Sequence, residues 1–270
     1  MNLDATHIAI RERSFSEILD LALRVGVRHA GPLLLLWAIG VLPFAAINFA
    51  LLQGALSDRS LSSEPEAYVF WQLLLVVIEV PFATALMTLY LGQATFAHHV
   101  SRRRLAADFF RSLPQLLLLQ GALRGLMTPL VLTLLGPYVA WPYLSELILL
   151  ERNPLFAGRS GRISTMRRSR NLHRGAGGEL FARWLAAATV GVLMTVSVAT
   201  GVGVLTTQLT GVTLSDRAAM LYLWPAAAWA VLGYLAVVRF LAYLDLRIRR
   251  EGWEVELAMR AEAAKLVRLS

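Results

Sequence analysis

The sequence contains no cysteine, and only 16% of its 270 residues are charged. Without cysteine the chain can form neither a disulfide nor a thiolate metal site, which leaves its redox compartment open. An ordinary globular domain carries about 25% charged residues. With 57% hydrophobic residues and a mean hydropathy of +0.57, the chain holds more apolar surface than a soluble fold can bury. The composition therefore predicts an integral membrane protein.

Sequence signatures of enzymes are also missing. There is no HExxH zinc motif, no P-loop and no G-x-S-x-G nucleophile elbow. The longest hydrophilic stretch, residues 151–180, is shorter than the roughly 50 residues of even a small soluble domain. We therefore predict a non-enzymatic protein with no catalytic residues, no cofactor and no metal. The polar, amphipathic first 29 residues predict an uncleaved signal anchor rather than a cleavable signal peptide.

Long apolar runs predict an all-α membrane helix bundle in a single domain, 1–270. A helix needs about 20 mostly apolar residues to cross the hydrocarbon core. About six such helices are predicted, with amphipathic interfacial helices beside them and a cytoplasmic tail at 244–270. The predicted spans are 30–52, 67–97, 114–135, 138–152, 181–208 and 218–243.

The middle region, residues 113–150, leaves two interpretations open. Its Gly136-Pro137 turn signal splits it into two short spans, but a re-entrant hairpin fits the same pattern. The flanking segments 101–113 and 151–178 are both basic, so an even number of crossings or a re-entrant hairpin lies between them. Two short helices are the preferred interpretation.

The positive charges predict the orientation. Of the 26 Lys and Arg residues, 21 fall in 1–30, 98–113, 151–180 and 245–270, whereas Arg59 and Arg217 stand alone on the opposite side. By the positive-inside rule, both termini lie in the cytoplasm. The net charge of +8 therefore indicates cytoplasmic loops rather than nucleic-acid binding.

The basic segments have helical patterns of their own. In residues 13–28 apolar side chains recur at helical spacing behind a Ser14/Glu17 capping box, and Leu105, Phe109 and Leu113 repeat at every fourth position. Each apolar hairpin is thus preceded by a basic segment that we expect at the inner membrane surface, with anionic lipid headgroups or a protein partner as its contacts. The residues assigned to these contacts are Arg102, Arg103, Arg104, Arg167, Arg168, Arg170, Arg247, Arg249 and Arg250.

Small residues repeat every fourth position in the fifth span, from Ala187 through Gly191, Thr195 and Ala199 to Gly203. Such a seam lets two helices approach closely in lipid. Packing inside the protein is preferred over a homodimer contact, because the motif names no partner.

Four ionisable residues at membrane depth stand out within the apolar spans: Glu79, Arg124, Glu146 and Arg239. A charge at the centre of a membrane helix costs about 2.5–3.5 kcal/mol on insertion scales, so each is a candidate functional residue. Arg124 is expected at a depth similar to both glutamates. A structural ion pair is the preferred interpretation, and a substrate or proton site is the alternative.

Three stretches carry a family resemblance. They are the opening Arg11-Glu-Arg-Ser-Phe-Ser-Glu-Ile-Leu-Asp20, the pair Leu150-Glu151 with Met166-Arg-Arg-Ser-Arg-Asn-Leu172, and Tyr243-Leu-Asp-Leu-Arg-Ile-Arg-Arg-Glu-Gly252. Together they resemble bacterial membrane proteins related to the membrane domain of glycerophosphoryl diester phosphodiesterases. The resemblance implies a helical domain of the bacterial inner membrane, without the soluble catalytic barrel and without transferable catalytic residues.

Two functions follow as hypotheses. The leading one is a scaffold or accessory subunit whose cytoplasmic face engages lipid headgroups or a partner protein. The alternative is a small transporter or lipid-handling protein that uses the intramembrane charges. A water-accessible path or a lipid-sized groove at those charges would favour the alternative. In the tail motif, Asp245 is expected to pair with Arg249 one turn later.

Overall fold

In the computed structural model, the part of the chain that the structure describes is helical and contains no strand. The described residues are 13–57, 65–96, 100–122, 141–155 and 163–251. We number the helices in chain order. They are α1 (Phe15–Arg28), α2 (Ala30–Ser57), α3 (Pro65–Ala83), α4 (Ala85–Phe96), α5 (Arg102–Leu116), α6 (Leu144–Glu146), α7 (Thr165–His173), α8 (Gly177–Thr210), α9 (Asp216–Ala218) and α10 (Trp224–Glu251).

Three helices are extended by wider turns with π geometry. Leu117–Ala122 continues α5, Leu147–Glu151 continues α6, and Ala219–Leu223 joins α9 to α10. The last of these precedes Pro225, which has no backbone N–H to donate to the preceding turn. A widened turn at this point lets the helix continue into α10 past the proline.

Four helical segments are long and apolar enough to cross a membrane: Ala30–Gln53, Tyr68–Thr95, Gly177–Thr210 and Asp216–Arg250. The predictions 30–52, 67–97, 181–208 and 218–243 are thereby confirmed as candidate spans. The last helix runs further than predicted. The tail motif from Tyr243 to Arg250 therefore lies within α10 and not after it.

The middle pair of predicted spans lies partly outside the described residues, which omit 123–140. In the part that is described, Leu144, Leu147, Ile148 and Leu149 are at most 1% exposed. The segment 144–151 therefore lies in the interior of the bundle, surrounded by protein. Six crossings stay a prediction, and the tail after residue 251 is also outside the described residues.

Small residues set the distance between the long helices. Gly191 and Ala199 are buried on α8, and a Cβ on Gly191 would approach Leu235 of α10 to 2.9 Å. The small-residue seam therefore packs inside the protein, as predicted. A closer approach joins α2 to α3, where a Cβ on Gly40 would lie 2.0 Å from the Ala83 carbonyl oxygen.

The three basic segments are helices that begin with a serine cap. At α1 the predicted capping box is confirmed: Glu17 accepts from the Ser14 amide at 2.9 Å, and the Glu17 amide donates to Ser14 Oγ at 3.3 Å. Ser101 caps α5 and Ser164 caps α7. The location of these helices at a membrane surface stays a prediction.

Helix α1 packs on α10 near the end of the bundle that we call the basic end, where α1, α5, α7 and the last turns of α10 meet. Its Ile18 and Ala22 are fully buried, and the Tyr234 hydroxyl of α10 donates to the Leu19 carbonyl at 3.0 Å. The same core contains Leu172 of α7 and Tyr243 of α10. The basic helices are therefore packed parts of the bundle.

Candidate functional site

The three stretches of sequence that carry the family resemblance meet at the basic end. Arg13 comes from the first stretch, Glu151 and Arg168 from the second, and the tail motif from the third. On α10, Tyr243 and Arg247 are four residues apart, as are Asp245 and Arg249, so the motif presents two different sides of one helix. One side holds the buried carboxylate of Asp245, and the other holds the half-buried carboxylate of Glu151.

Glu151 is the carboxylate on the first side. Arg168 of α7 contacts both of its oxygens, at 2.6 and 2.9 Å, and the Tyr243 hydroxyl donates to it at 2.9 Å. Arg247 lies 3.5 Å from the same carboxylate and 5.8 Å from the centre of the Tyr243 ring. Two-point arginine contacts fix direction as well as charge. Glu151 therefore ties α7 and α10 to the end of the 144–151 segment.

Asp245 is the carboxylate on the second side, and it is 1% exposed. The backbone N–H of Arg13 donates to it at 2.9 Å, Arg183 of α8 at 2.9 Å, and Arg249 lies at 3.0 Å. The predicted pair of Asp245 with Arg249 is thus confirmed. Asp245 joins the start of α1, the first turns of α8 and the end of α10.

Glu179 completes this second side from the first turn of α8. Its carboxylate lies 3.1 Å from Arg183 and 2.5 Å from Arg249. We call the nine residues on both sides the arginine–carboxylate network. Its members are Arg13, Glu151, Arg168, Glu179, Arg183, Tyr243, Asp245, Arg247 and Arg249.

The contacts of the network are of the kind that holds helices together. The carboxylates of Glu151 and Asp245 are each surrounded by several donors, so neither is placed as a general base. Removing one partner of a buried ion pair typically costs about 3–5 kcal/mol, because the other charge is left uncompensated. The network therefore fixes five helical segments relative to one another.

Asp108 is the centre of a separate set of contacts outside the arginine–carboxylate network. Asp108 of α5 is 5% exposed, and it accepts from Arg152 at 2.5 Å and from Gln93 of α4 at 3.2 Å. Arg152 has a left-handed backbone with φ of 52°, a conformation that costs a non-glycine residue about 1–3 kcal/mol. The ion pair with Asp108 offsets this cost at the residue where the 144–151 segment ends.

Three of the four charges predicted at membrane depth lie in the described residues, and they form two separate contacts. Asn48 of α2 donates to the Glu79 carboxyl at 2.7 Å, and these residues are 2% and 8% exposed. Arg239 of α10 lies 2.8 Å from Glu146, which is 2% exposed. Arg124 lies outside the described residues, so its predicted contact with either glutamate is not observed.

The arginines predicted to contact headgroups or a partner fall into two groups. Arg168, Arg247 and Arg249 belong to the arginine–carboxylate network, and their guanidinium groups face carboxylates of the protein. The other six are exposed at the basic end. These are Arg102, Arg103, Arg104, Arg167, Arg170 and Arg250.

His173 is the last residue of α7. It is 8% exposed, its Nδ1 donates to the Ser169 carbonyl at 2.7 Å, and its ring stacks on Tyr143 with centroids 5.9 Å apart. Burial lowers the pKa of His173, and the Ser169 carbonyl and Glu146 oppose that shift. In the described part of the chain, no group of three or more potential ligands is placed to hold a metal ion.

No known protein family, curated protein or solved structure matches this chain. The site is therefore interpreted from its own geometry.

Sequence reasoning did not anticipate the arginine–carboxylate network as a unit. Arg183 lies inside the predicted span 181–208, and Glu151 was singled out only as part of the family resemblance. A partial signal was present, since Asp108, Glu151, Glu179 and Asp245 each lie within four residues of at least one arginine. An isolated carboxylate among arginines predicts an internal ion pair, although it does not name the partner.

Proposed function

We propose that the protein is a non-enzymatic membrane scaffold or accessory subunit whose basic end lies on the cytoplasmic side and engages anionic lipid headgroups or a partner protein. In this proposal the chain crosses the inner membrane of a bacterium six times, with both termini in the cytoplasm. The likeness of its three meeting stretches to the membrane domain of glycerophosphoryl diester phosphodiesterases is part of the proposal.

One observation carries the function: some arginines at the basic end are bound to internal carboxylates, and others are exposed. The internal carboxylates bind Arg168, Arg183, Arg247 and Arg249, whereas six other arginines at the same end are exposed. The first group makes the end rigid, and the second leaves a concentration of positive charge on its surface. Each basic residue near an anionic membrane surface contributes about 1 kcal/mol of attraction.

The transport alternative has less support. Glu79 and Glu146 each have a partner within the bundle. Two clefts next to α1 are lined by other residues, and neither cleft contains these glutamates. The transport alternative requires a lipid-sized groove at Glu79 or Glu146, and neither of these two clefts is such a groove.

Orientation is tested by cysteine labelling, for which the cysteine-free sequence is a suitable background. Gly178→Cys lies at the basic end, where a Cβ meets nothing within 4 Å, and Thr213→Cys lies on the exposed turn at the opposite end. We expect a membrane-impermeant maleimide to label position 213 in intact spheroplasts and position 178 only in inverted vesicles. The reverse pattern would refute the proposed orientation.

Headgroup contact is tested in nanodiscs of phosphatidylcholine with or without phosphatidylglycerol. We expect phosphatidylglycerol to raise the unfolding midpoint and high salt to reduce that gain. The variant Arg103→Gln/Arg104→Gln/Arg167→Gln/Arg170→Gln should lose most of the gain, and the control Arg217→Gln at the opposite end should keep it. Equal midpoints in both lipids for the unmodified protein would leave a protein partner as the only form of the proposal, to be sought with a photo-crosslinker at position 167.

A further inference from the structure

A cleft with a charged mouth and an apolar floor lies between α1, α4 and α10. Its volume is about 220 Å³. Arg24, Arg28 and His29 line one side, and Leu91, Ala94 and Phe240 are among the residues of the floor. We call it the α1 cleft. None of its residues belongs to the arginine–carboxylate network.

The positive charge of the α1 cleft is only partly neutralised within the protein. Arg24 lies 2.8 Å from Asp20, but both side chains are more than 60% exposed, and such exposed pairs contribute little. Within the described residues Arg28, four positions later on the same side of α1, has no carboxylate partner. Two adjacent guanidinium groups with one exposed carboxylate favour an anionic ligand.

The position of the cleft in the chain indicates its depth. Helix α1 ends at Arg28, and the first candidate span begins at Ala30. Arg28 and His29 therefore lie where the chain enters the membrane, which is the level of lipid headgroups. The floor residues Leu91 and Phe240 belong to two other candidate spans and lie on the membrane side.

This order of polarity matches one class of molecule. An anionic phospholipid carries its phosphate at the membrane surface and its glycerol backbone and acyl chains below. A zwitterionic lipid would place an ammonium group beside the two arginines, and free inorganic phosphate would gain nothing from an apolar floor. Pockets that enclose whole ligands measure about 300–1,000 Å³. The α1 cleft is smaller, so it accommodates a headgroup and the first part of one chain.

We propose that the α1 cleft binds one anionic phospholipid of the surrounding leaflet, with its phosphate on Arg24 and Arg28 and its upper acyl chain against Leu91, Ala94 and Phe240. This inference rests on the proposed function, because it places the basic end among anionic headgroups. It adds a defined site of single occupancy to the diffuse attraction of the exposed arginines.

The test is native mass spectrometry of the full chain in detergent, titrated with phosphatidylglycerol or phosphatidylcholine. We expect one phosphatidylglycerol to bind in preference, and Arg28→Gln to weaken that first binding about tenfold, the change that one charge-assisted contact supplies. Arg28→Lys should retain most of the affinity. Ala94→Leu should weaken binding while leaving every charge in place, because it fills the floor.

The matched control is Arg167→Gln/Arg170→Gln, which removes two exposed charges elsewhere at the basic end. It should leave the first phosphatidylglycerol bound while it reduces the lipid dependence measured in nanodiscs. Equal weakening by the Arg28→Gln and control variants would overturn the α1 cleft as a site. Displacement of the lipid by inorganic phosphate, or an unchanged affinity in a folded Ala94→Leu protein, would do the same. Absence of any nanodisc effect in the unmodified protein, with one phosphatidylglycerol still bound in the mass spectrum, would count instead against headgroup contact by the exposed arginines.

Discussion

Asp245 is the residue whose replacement tests the arginine–carboxylate network most directly. Asparagine has the same shape, and its Oδ1 can still accept the Arg13 amide, so Asp245→Asn removes the charge while keeping the contact with α1. The guanidinium groups of Arg183 and Arg249, with side chains 11% and 21% exposed, are then left with Glu179. Breaking a buried pair costs about 3–5 kcal/mol, and the remaining contact to Glu179 favours the lower value, about 3 kcal/mol.

A loss of that size is readily measured. For a chain of this length it lowers the unfolding midpoint by about 6–12 °C. The assay is thermal unfolding of the purified protein in one detergent, and the control is Asp216→Asn, an exposed aspartate at the opposite end. We expect the control to change the free energy of unfolding by less than about 1 kcal/mol. A midpoint for Asp245→Asn within the error of the control would refute the stabilising role of the network.

Hydrogen exchange distinguishes the effect of the Asp245 charge from the effect of its contact with α1. Asp245→Ala removes the acceptor of the Arg13 amide as well as the charge. Exchange in the first turns of α1 should therefore increase in Asp245→Ala and much less in Asp245→Asn. Equal exchange in the two variants would mean that the Asp245 side chain does not position α1.

Three further predictions concern other parts of the bundle. Gly40→Ala should destabilise the protein by about 1–3 kcal/mol or more, because its Cβ would lie 2.0 Å from the Ala83 carbonyl oxygen. The control is Gly201→Ala, where a Cβ meets nothing within 4 Å. It should be neutral or stabilising by up to about 1 kcal/mol in the same unfolding assay. The pKa of His173 is lowered on folding, so the unfolded state binds the proton more readily. The free energy of unfolding should therefore fall as the pH drops through about 6.5. Unfolding midpoints measured at neutral and mildly acidic pH should show a smaller pH dependence in His173→Gln. Glu79→Gln keeps an acceptor for the Asn48 amide at the position now 2.7 Å away and removes an intramembrane carboxyl, so it should unfold at the parental midpoint or above; a lost cellular phenotype in a folded Glu79→Gln protein would favour the transport alternative.

The long apolar elements of the fold could be predicted from composition and length alone. The candidate spans from Ala30 and from Gly177 begin within a few residues of the predicted positions, because a run of about 20 apolar residues in lipid has only the helix available. The serine cap of α1 and the packing of Gly191 against α10 follow from equally local rules. In each case neighbouring residues of one segment supply the whole signal.

The pairing of charges could not be predicted in the same way. Glu146 lies 93 positions from Arg239 in sequence, and Asp245 lies 232 positions from the Arg13 amide. Which arginine meets which carboxylate depends on how the helices are arranged around each other, and no local pattern encodes that arrangement. The basic pattern therefore predicts the same surface position for Arg168 and Arg247 as for Arg167 and Arg170. Helical spacing alone does not tell these neighbours apart, because a basic surface face and a face directed at a buried carboxylate have the same composition.

The two kinds of charged site also differ in the number of partners, and membrane depth accounts for this. Glu79 and Glu146 lie within the apolar part of the bundle, and in the described structure each is held mainly by one side chain, Asn48 or Arg239. Every additional charge at that depth carries an insertion cost. In the proposed orientation the basic end lies at the membrane surface, where this cost falls away, and Asp245 and Glu151 each have three or more donors there. The basic end is therefore where the chain can combine rigidity with exposed positive charge, and a surface that recognises anionic groups needs both.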